Sequence, residues 1–247
     1  MTTAILDGAR LLGRLSALGA IGRDGESRLA RPAASEADRA GRAALMGWMD
    51  EAGLAVTVDR IGNVFGRWST PENETAAPLL LGSHIDSVVN AGMLDGCYGV
   101  LGALEVIETL KAAGARPARP IVVAAFTNEE GARFAPDMLG SLVFVGGLAL
   151  DTALATVGVD GARLGDELAR IGAAGTVDPG HFRPAAYVEL HIEQGPILDR
   201  EGVRIGAVEN LQGISWQEVT IEGTANHAGT TPMTMRRDAG LAAARTV

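Results

Sequence analysis

The sequence predicts an α/β fold, with a mostly parallel sheet, helices on both faces, and the start of a smaller α+β domain after it. Short apolar runs alternate with helical patterns from Ala55 to His191, the rhythm of strands joined by covering helices. The run Ile121–Phe126 is unbroken and rich in β-branched residues, as suits a strand covered on both faces. After Gly206 the texture changes to a strand pattern, a polar loop and a helical pattern, too little to close a core alone.

The elements follow in order. Ser35-Glu36-Ala37-Asp38 is a capping signal, a serine hydroxyl placed to accept a free amide of the first turn with an acid three residues on. The helix it opens carries Leu45, Trp48 and Met49 and stops at Gly53. Ala55–Asp59 and Asn63–Trp68 read as two strands about an Ile61-Gly62-Asn63 turn. Leu79–Leu81 is a short buried strand. Tyr98–Ala113 is a helix with Leu101, Leu104, Ile107 and Leu110 at helical spacing, ended by Gly114. Ala162–Ile171 reads as a further helix, and Tyr187–His191 as a strand despite Glu189. Ile214–Ile221 reads as a strand leaving the main sheet, Gly223–Thr231 as a polar loop, and from about Met235 a helix runs into the C-terminus. Arg31–Ala34 and Pro71–Pro78 have the composition of surface loops.

The chain has 247 residues, 47% of them apolar, which suffices for a full core. A net charge of −9 argues against nucleic acid or an anionic membrane as partner, since both would repel it. Cys97 is the only cysteine, so no intrachain disulfide can form and a reducing cytoplasm is the expected location. Asp7 and Arg10 interrupt the apolar positions of Met1 to Leu12, which gives no signal-peptide pattern. The longest apolar stretches, near Ile121–Phe126 and Leu142–Leu150, are too short to span a bilayer.

Ligands of open α/β sheets gather at the carboxyl ends of strands, and the chemistry-bearing residues fall there. His84 lies just past Leu79–Leu81, Glu129 and Glu130 just past Ile121–Phe126, His191 at the end of Tyr187–Leu190, and Asp95 in a loop before a helix. Neutral imidazole nitrogens and carboxylate oxygens are the donors a divalent ion takes, with a spare carboxylate as base. Asp86 is spaced to accept the other ring N–H of His84, and Gly92 and Gly96 allow close backbone approach beside Asp95. A single His-x-Asp, or one pair of glutamates, is more often plain surface; the convergence of four segments carries the reading. His181, between Gly180 and Phe182, reads as surface or packing. Cys97 lacks a base and reads as a small buried thiol, and Arg236-Arg237-Asp238 as a solvated cluster opening a helix.

The segments Gly82-Ser83-His84-Ile85-Asp86-Ser87-Val88, Leu94-Asp95-Gly96, Thr127-Asn128-Glu129-Glu130-Gly131-Ala132-Arg133-Phe134, Glu189-Leu190-His191-Ile192-Glu193-Gln194-Gly195-Pro196 and Asn226-His227-Ala228-Gly229-Thr230-Thr231-Pro232-Met233 together resemble the N-carbamoyl-L-amino-acid hydrolase, β-ureidopropionase and allantoate amidohydrolase family. That family lies within the aminoacylase–acetylornithine deacetylase metallopeptidase superfamily. The resemblance implies a catalytic domain over 1–209 and the beginning of an inserted, ferredoxin-like lid or dimerisation domain over 210–247. It implies two divalent ions, zinc, manganese, cobalt or nickel. His84 and His191 would bind one ion, Glu130 the other, and Asp95 both, with Glu129 as general base toward a metal-bridging hydroxide. Gln194 would bind the substrate. His227 would reach across a homodimer interface to a substrate oxyanion.

The implied reaction is hydrolysis of a non-peptide C–N bond in an N-carbamoyl-L-amino acid, N-carbamoyl-β-alanine or allantoate. The alternatives are an aminopeptidase or deacylase of the same superfamily, or an inactive metal-binding fragment. Family members are longer, and their returning segment brings a further metal-binding histidine, an asparagine and an arginine. None of these follows Val247, so the sequence-based expectation is a fragment or truncated product of poor activity.

Overall fold

A chain that alternates apolar runs with helical patterns buries both by laying helices on a sheet. The computed structural model, which describes residues 5–215 and 217–246, is built that way. Two compact units part between Gln194 and Gly195. The first runs α1 (Gly8–Ala20), β1 (Leu29–Ala30), α2 (Glu36–Glu51), β2 (Ala55–Val58), β3 (Val64–Trp68), β4 (Leu79–His84), β5 (Val89–Ala91), α3 (Cys97–Ala112), β6 (Ile121–Phe126), α4 (Leu139–Phe144), α5 (Leu150–Leu154), α6 (Leu164–Arg170) and β7 (Ala186–Val188). The second holds α7 (Ile197–Glu201), a 3-10 turn (Met233–Met235) and α8 (Ala239–Thr246), with no strand among its described residues.

The five-stranded sheet has the order β2-β3-β6-β4-β7. β4 pairs in parallel with β6 and with β7, whereas β3 is antiparallel to β2 and β6. The sheet is therefore mixed: β2, β6, β4 and β7 share one direction and β3 alone is reversed. The reversal follows from the short turn Asp59–Asn63, because a connection that tight joins only antiparallel neighbours. β1 and β5 form a separate antiparallel ribbon.

β6 shows why its sequence has no polar position. Ile121, Val123 and Ala125 join the core under α1, α2 and α3 with Leu18, Leu45, Met49 and Leu104. Val122, Ala124 and Phe126 face the other way, into an aromatic cluster with Phe65, Phe144 and Phe182. His181 packs into the same cluster, its ring 4.8 Å from Phe182 and 5.5 Å from Phe65, as the packing reading held. At about 1.5–3 kcal/mol per buried Val or Phe side chain, this two-sided burial makes β6 the anchor of the sheet. The capping signal also folds as read, the Ser35 hydroxyl accepting from the Asp38 amide at 3.1 Å. Gly114, at φ +68°, ends α3.

Three sequence expectations need correction. Among the described residues of Ile214–Ile221 no strand forms (Trp216 lies outside them), and the second unit has no other strand among its described residues to complete a ladder. β7 stops at Val188 because side-chain bonds replace the ladder: Tyr187 donates its hydroxyl to Gly82 O at 3.1 Å and Ser83 donates its own to Glu189. Arg31–Ala34 is not a surface loop; Arg31 and Ala34 are 0% exposed and Ala33 is 2% exposed. No described helix is long and apolar enough to cross a membrane.

Candidate metal centre

The parallel register decides where the site residues meet. His84, the last residue of β4, lies opposite Phe126, the last of β6. The segment Thr127–Glu130 therefore begins beside His84, and the chain leaving β7 reaches the same edge with His191. Asp95 comes to it from the turn that opens α3. One ring nitrogen of His84 and one carboxylate oxygen each of Asp95 and Glu130 lie within 4.8 Å of one another. His191 Nε2 is 3.4 Å from Asp95 Oδ1, and His84 Nε2 is 3.2 Å from Glu129 Oε2.

Both histidines are aimed alike. His84 places Nδ1 3.0 Å from the Asp86 main-chain oxygen, and His191 places Nδ1 2.6 Å from the Ile192 oxygen. These carbonyls hold Nδ1 of each ring and so turn Nε2 toward the carboxylates, the orientation in which an imidazole can bind a cation. Asp86 thus holds His84 through its main chain, while its carboxylate stands 3.7 Å from Nδ1. That carboxylate instead accepts from the amides of Glu129 at 3.2 Å and Glu130 at 3.3 Å, fixing the glutamate pair. Asn128, at φ +54°, turns the same segment and donates Nδ2 to Phe134 O at 2.8 Å.

Electrostatics and satisfaction both fit a cation. Burial pushes Glu129 up to about 6, and Asp86, Glu130 and Asp95 add to this against the pull of His84. Glu130 is raised by burial and by Asp95 and Asp86, while His84 is held above its usual range by the surrounding carboxylates, which outweigh its burial. Negative charges crowded in this way gain from a shared positive ion. Asp95 Oδ1 is buried with no hydrogen-bond partner among the described residues, an orphan acceptor of the kind a metal ion satisfies. Gly96, at φ +61°, leaves the space that a β-carbon would fill at 2.5 Å from the His84 ring.

The structure thus brings His84, Asp86, Asp95, Glu129, Glu130 and His191 to one edge. Gln194 also reaches it, donating Nε2 to Asp95 Oδ2. His227 belongs to the second unit, where its Nδ1 accepts from the amides of Gly229 at 3.1 Å and Thr230 at 3.2 Å. Two contributors escape sequence reasoning, Ser83 and Arg31. Ser83 is visible only as a hydroxyl adjoining His84, and Arg31 gives no signal, since its partners are main-chain atoms far away in sequence.

A donor set of imidazoles and carboxylates at the carboxyl edge of a mixed sheet defines an α/β protein with a candidate metal centre. The chain belongs to Peptidase family M20/M25/M40, whose profile matches residues 80–247. It is 46% identical over 212 residues to an N-carbamoyl-L-amino-acid amidohydrolase of Rhizobium meliloti, covering 85% of this chain and 50% of that protein. It is 38% identical over 212 residues to an allantoate deiminase of Arabidopsis thaliana, covering 82% of this chain and 40% of that one. Among solved structures, a hydantoinase/carbamoylase family amidase from Burkholderia vietnamiensis matches with a TM-score of 0.85 and 41% identity, over 100% of this chain and 60% of that one. The chain therefore spans about half the length of the Rhizobium relative.

Proposed function

We propose that this chain carries catalytic-centre residues of a metal-dependent amidohydrolase, acting on a non-peptide C–N bond of a small carbamoyl or ureido compound. N-carbamoyl-L-amino acids, N-carbamoyl-β-alanine and allantoate are the candidate substrates. The observation that carries this reading is the meeting of His84, Asp95 and Glu130 within 4.8 Å, with the Asp95 Oδ1 orphan among them. The naming of the relatives supports the C–N chemistry.

His84, His191, Asp95 and Glu130 would hold two divalent ions, of which zinc, manganese, cobalt and nickel all suit mixed imidazole and carboxylate ligands. When bound, such ions supply Lewis acidity toward the scissile carbonyl and make water nucleophilic near neutral pH. Glu129 is the residue left over for proton transfer. Its carboxylate is partly exposed, with the side chain at 26% of full accessibility, and it can take a proton from the attacking water and return it to the leaving nitrogen. Asp86 keeps that carboxylate in place through the Glu129 amide. Gln194, now bonded to Asp95, has a side-chain amide that can turn to a substrate carboxylate or ureido group.

His227 contributes as a donor. Two amides occupy its Nδ1, so the neutral ring carries its proton on Nε2, which suits an exposed imidazole meant to stabilise a substrate oxyanion across a homodimer interface. The smaller unit is proposed as the beginning of the lid or dimerisation domain, and the cytoplasm as the location. The test is ammonia release from a panel of N-carbamoyl-L-amino acids, N-carbamoyl-β-alanine and allantoate, set beside free amino acid release from dipeptides and N-acyl amino acids. Turnover confined to the carbamoyl and ureido arms is expected, and preference for dipeptides overturns the reading.

A further inference from the structure

Arg31 is 0% exposed and is the largest side chain buried to that degree among the described residues. A guanidinium stays charged at all accessible pH, and a buried charge is costly unless its donors are satisfied. Among the described residues it forms no ion pair with a carboxylate. Nε donates to Ile85 O at 2.7 Å, Nη1 to Leu18 O and Ile21 O at 2.8 Å each, and Nη2 to Cys97 Sγ at 3.2 Å. Its main chain is tied as firmly, N donating to Ser87 Oγ at 3.0 Å and O accepting from Ser87 N at 3.0 Å. Gly41 of α2 makes the room, since a β-carbon there would lie 3.0 Å from Arg31 Cδ.

These partners flank the metal centre. Ile85 sits between His84 and Asp86, and Ser87 follows. Cys97 is two residues beyond Asp95, and its amide donates to Asp95 O at 2.6 Å. One planar group thus joins the end of α1 to the His84 segment and to the Asp95 turn. We infer that Arg31 is a positioning residue, whose guanidinium clamps the His84–Ser87 and Asp95–Cys97 segments at a fixed separation so that His84 Nε2 and the Asp95 carboxylate face one point before an ion arrives. This deepens the metal-centre reading and rests on it. Arg31 touches no reacting atom. A lysine could reach one or two of the carbonyls, but its single ammonium cannot span three segments as the fork does.

The test strips the chain of metal with a chelator and titrates it with Co2+ alone, following the visible absorption that reports ligand number and geometry, with thermal unfolding in parallel. Arg31→Lys should weaken Co2+ binding by about tenfold or more, the effect typical of groups that orient ligands, and should alter the visible spectrum. A smaller loss, or an unchanged spectrum, overturns the inference even if the melting temperature falls, for Arg31 would then serve the fold alone. If Arg31→Lys does not fold, Cys97→Ala decides, since it removes one end of the clamp at little cost in volume. A loss of about tenfold or more then supports the inference and a smaller one overturns it. Failure of the unaltered chain to take up Co2+ is a separate result, which overturns the metal centre itself and this inference with it.

Discussion

Replacing Gly96 by alanine tests the proposed metal centre at its tightest point. A β-carbon there would stand 2.5 Å from His84 Cδ2 and Nε2 and 2.6 Å from Cε1, whereas non-bonded carbons prefer about 3.5–4.0 Å. The ring sits in a 2%-exposed pocket with its Nδ1 bonded to Asp86 O, so it cannot swing into solvent and must shift by about 1 Å with its segment. The φ of +61° with ψ −49° lies outside the regions side-chain residues favour and adds about 1–3 kcal/mol, and overpacking adds about 1–3 kcal/mol. Together these predict a loss of about 2–6 kcal/mol in stability by urea denaturation. A metal ligand tolerates only tenths of an ångström, so Co2+ affinity should fall by about 10–100-fold in the same sample. A Gly96→Ala variant that binds Co2+ as tightly as the unaltered chain would refute the placement of His84 against this turn.

Three further outcomes are expected. Glu129→Gln should lower ammonia release by about 10²–10⁴-fold while the metal content, read by elemental analysis, stays unchanged, because the proposed ligands His84, Asp95, Glu130 and His191 remain. Ser35→Ala removes the hydroxyl that accepts the Asp38 amide and should cost about 1 kcal/mol in urea denaturation with no change in metal affinity. Burial raises the Asp59 carboxyl from 3.8 to about 6, despite the donors Ile61 N, Asn63 N and Asn63 Nδ2. The folded chain therefore binds more protons than the unfolded one between those values, so Asp59 makes stability fall as pH rises from about 4 to about 6, by at most about 3 kcal/mol, and stay level above. Urea midpoints of metal-free Asp59→Asn, compared with the unaltered chain at each pH, should lack that part of the slope; an identical slope would refute it.

What could be read from sequence was whatever local chemistry decides. The unbroken run of β6, the serine cap of α2 and the Gly114 stop of α3 each state a demand that neighbouring residues alone can meet. The site edge was legible too, because parallel strands bring their carboxyl ends together and His84, Glu129 and His191 each follow one. Long-range partners were not legible. Ile214–Ile221 has a strand's composition, but a ladder depends on a second strand that composition does not announce. Arg31 among alanines and a proline resembled solvent-facing chain, because the carbonyls of Leu18, Ile21 and Ile85 that satisfy it leave no trace in side-chain pattern. α1 was unanticipated for a similar reason: only its packing on α3, through Leu15 and Leu18, shows which of its positions face inward.

The pairing of His84 with Phe126 also makes the centre a gauge of how accurately the chain has folded. Sliding β4 one step along β6 would carry the imidazole about 3.3 Å and turn it to the opposite side of the sheet. Such a misaligned form would keep nearly all its strands and helices, and so would look native by far-UV circular dichroism, yet could not assemble the ligands. In refolding mixtures, cobalt colour should therefore count correctly registered molecules where spectroscopy of the backbone counts them all.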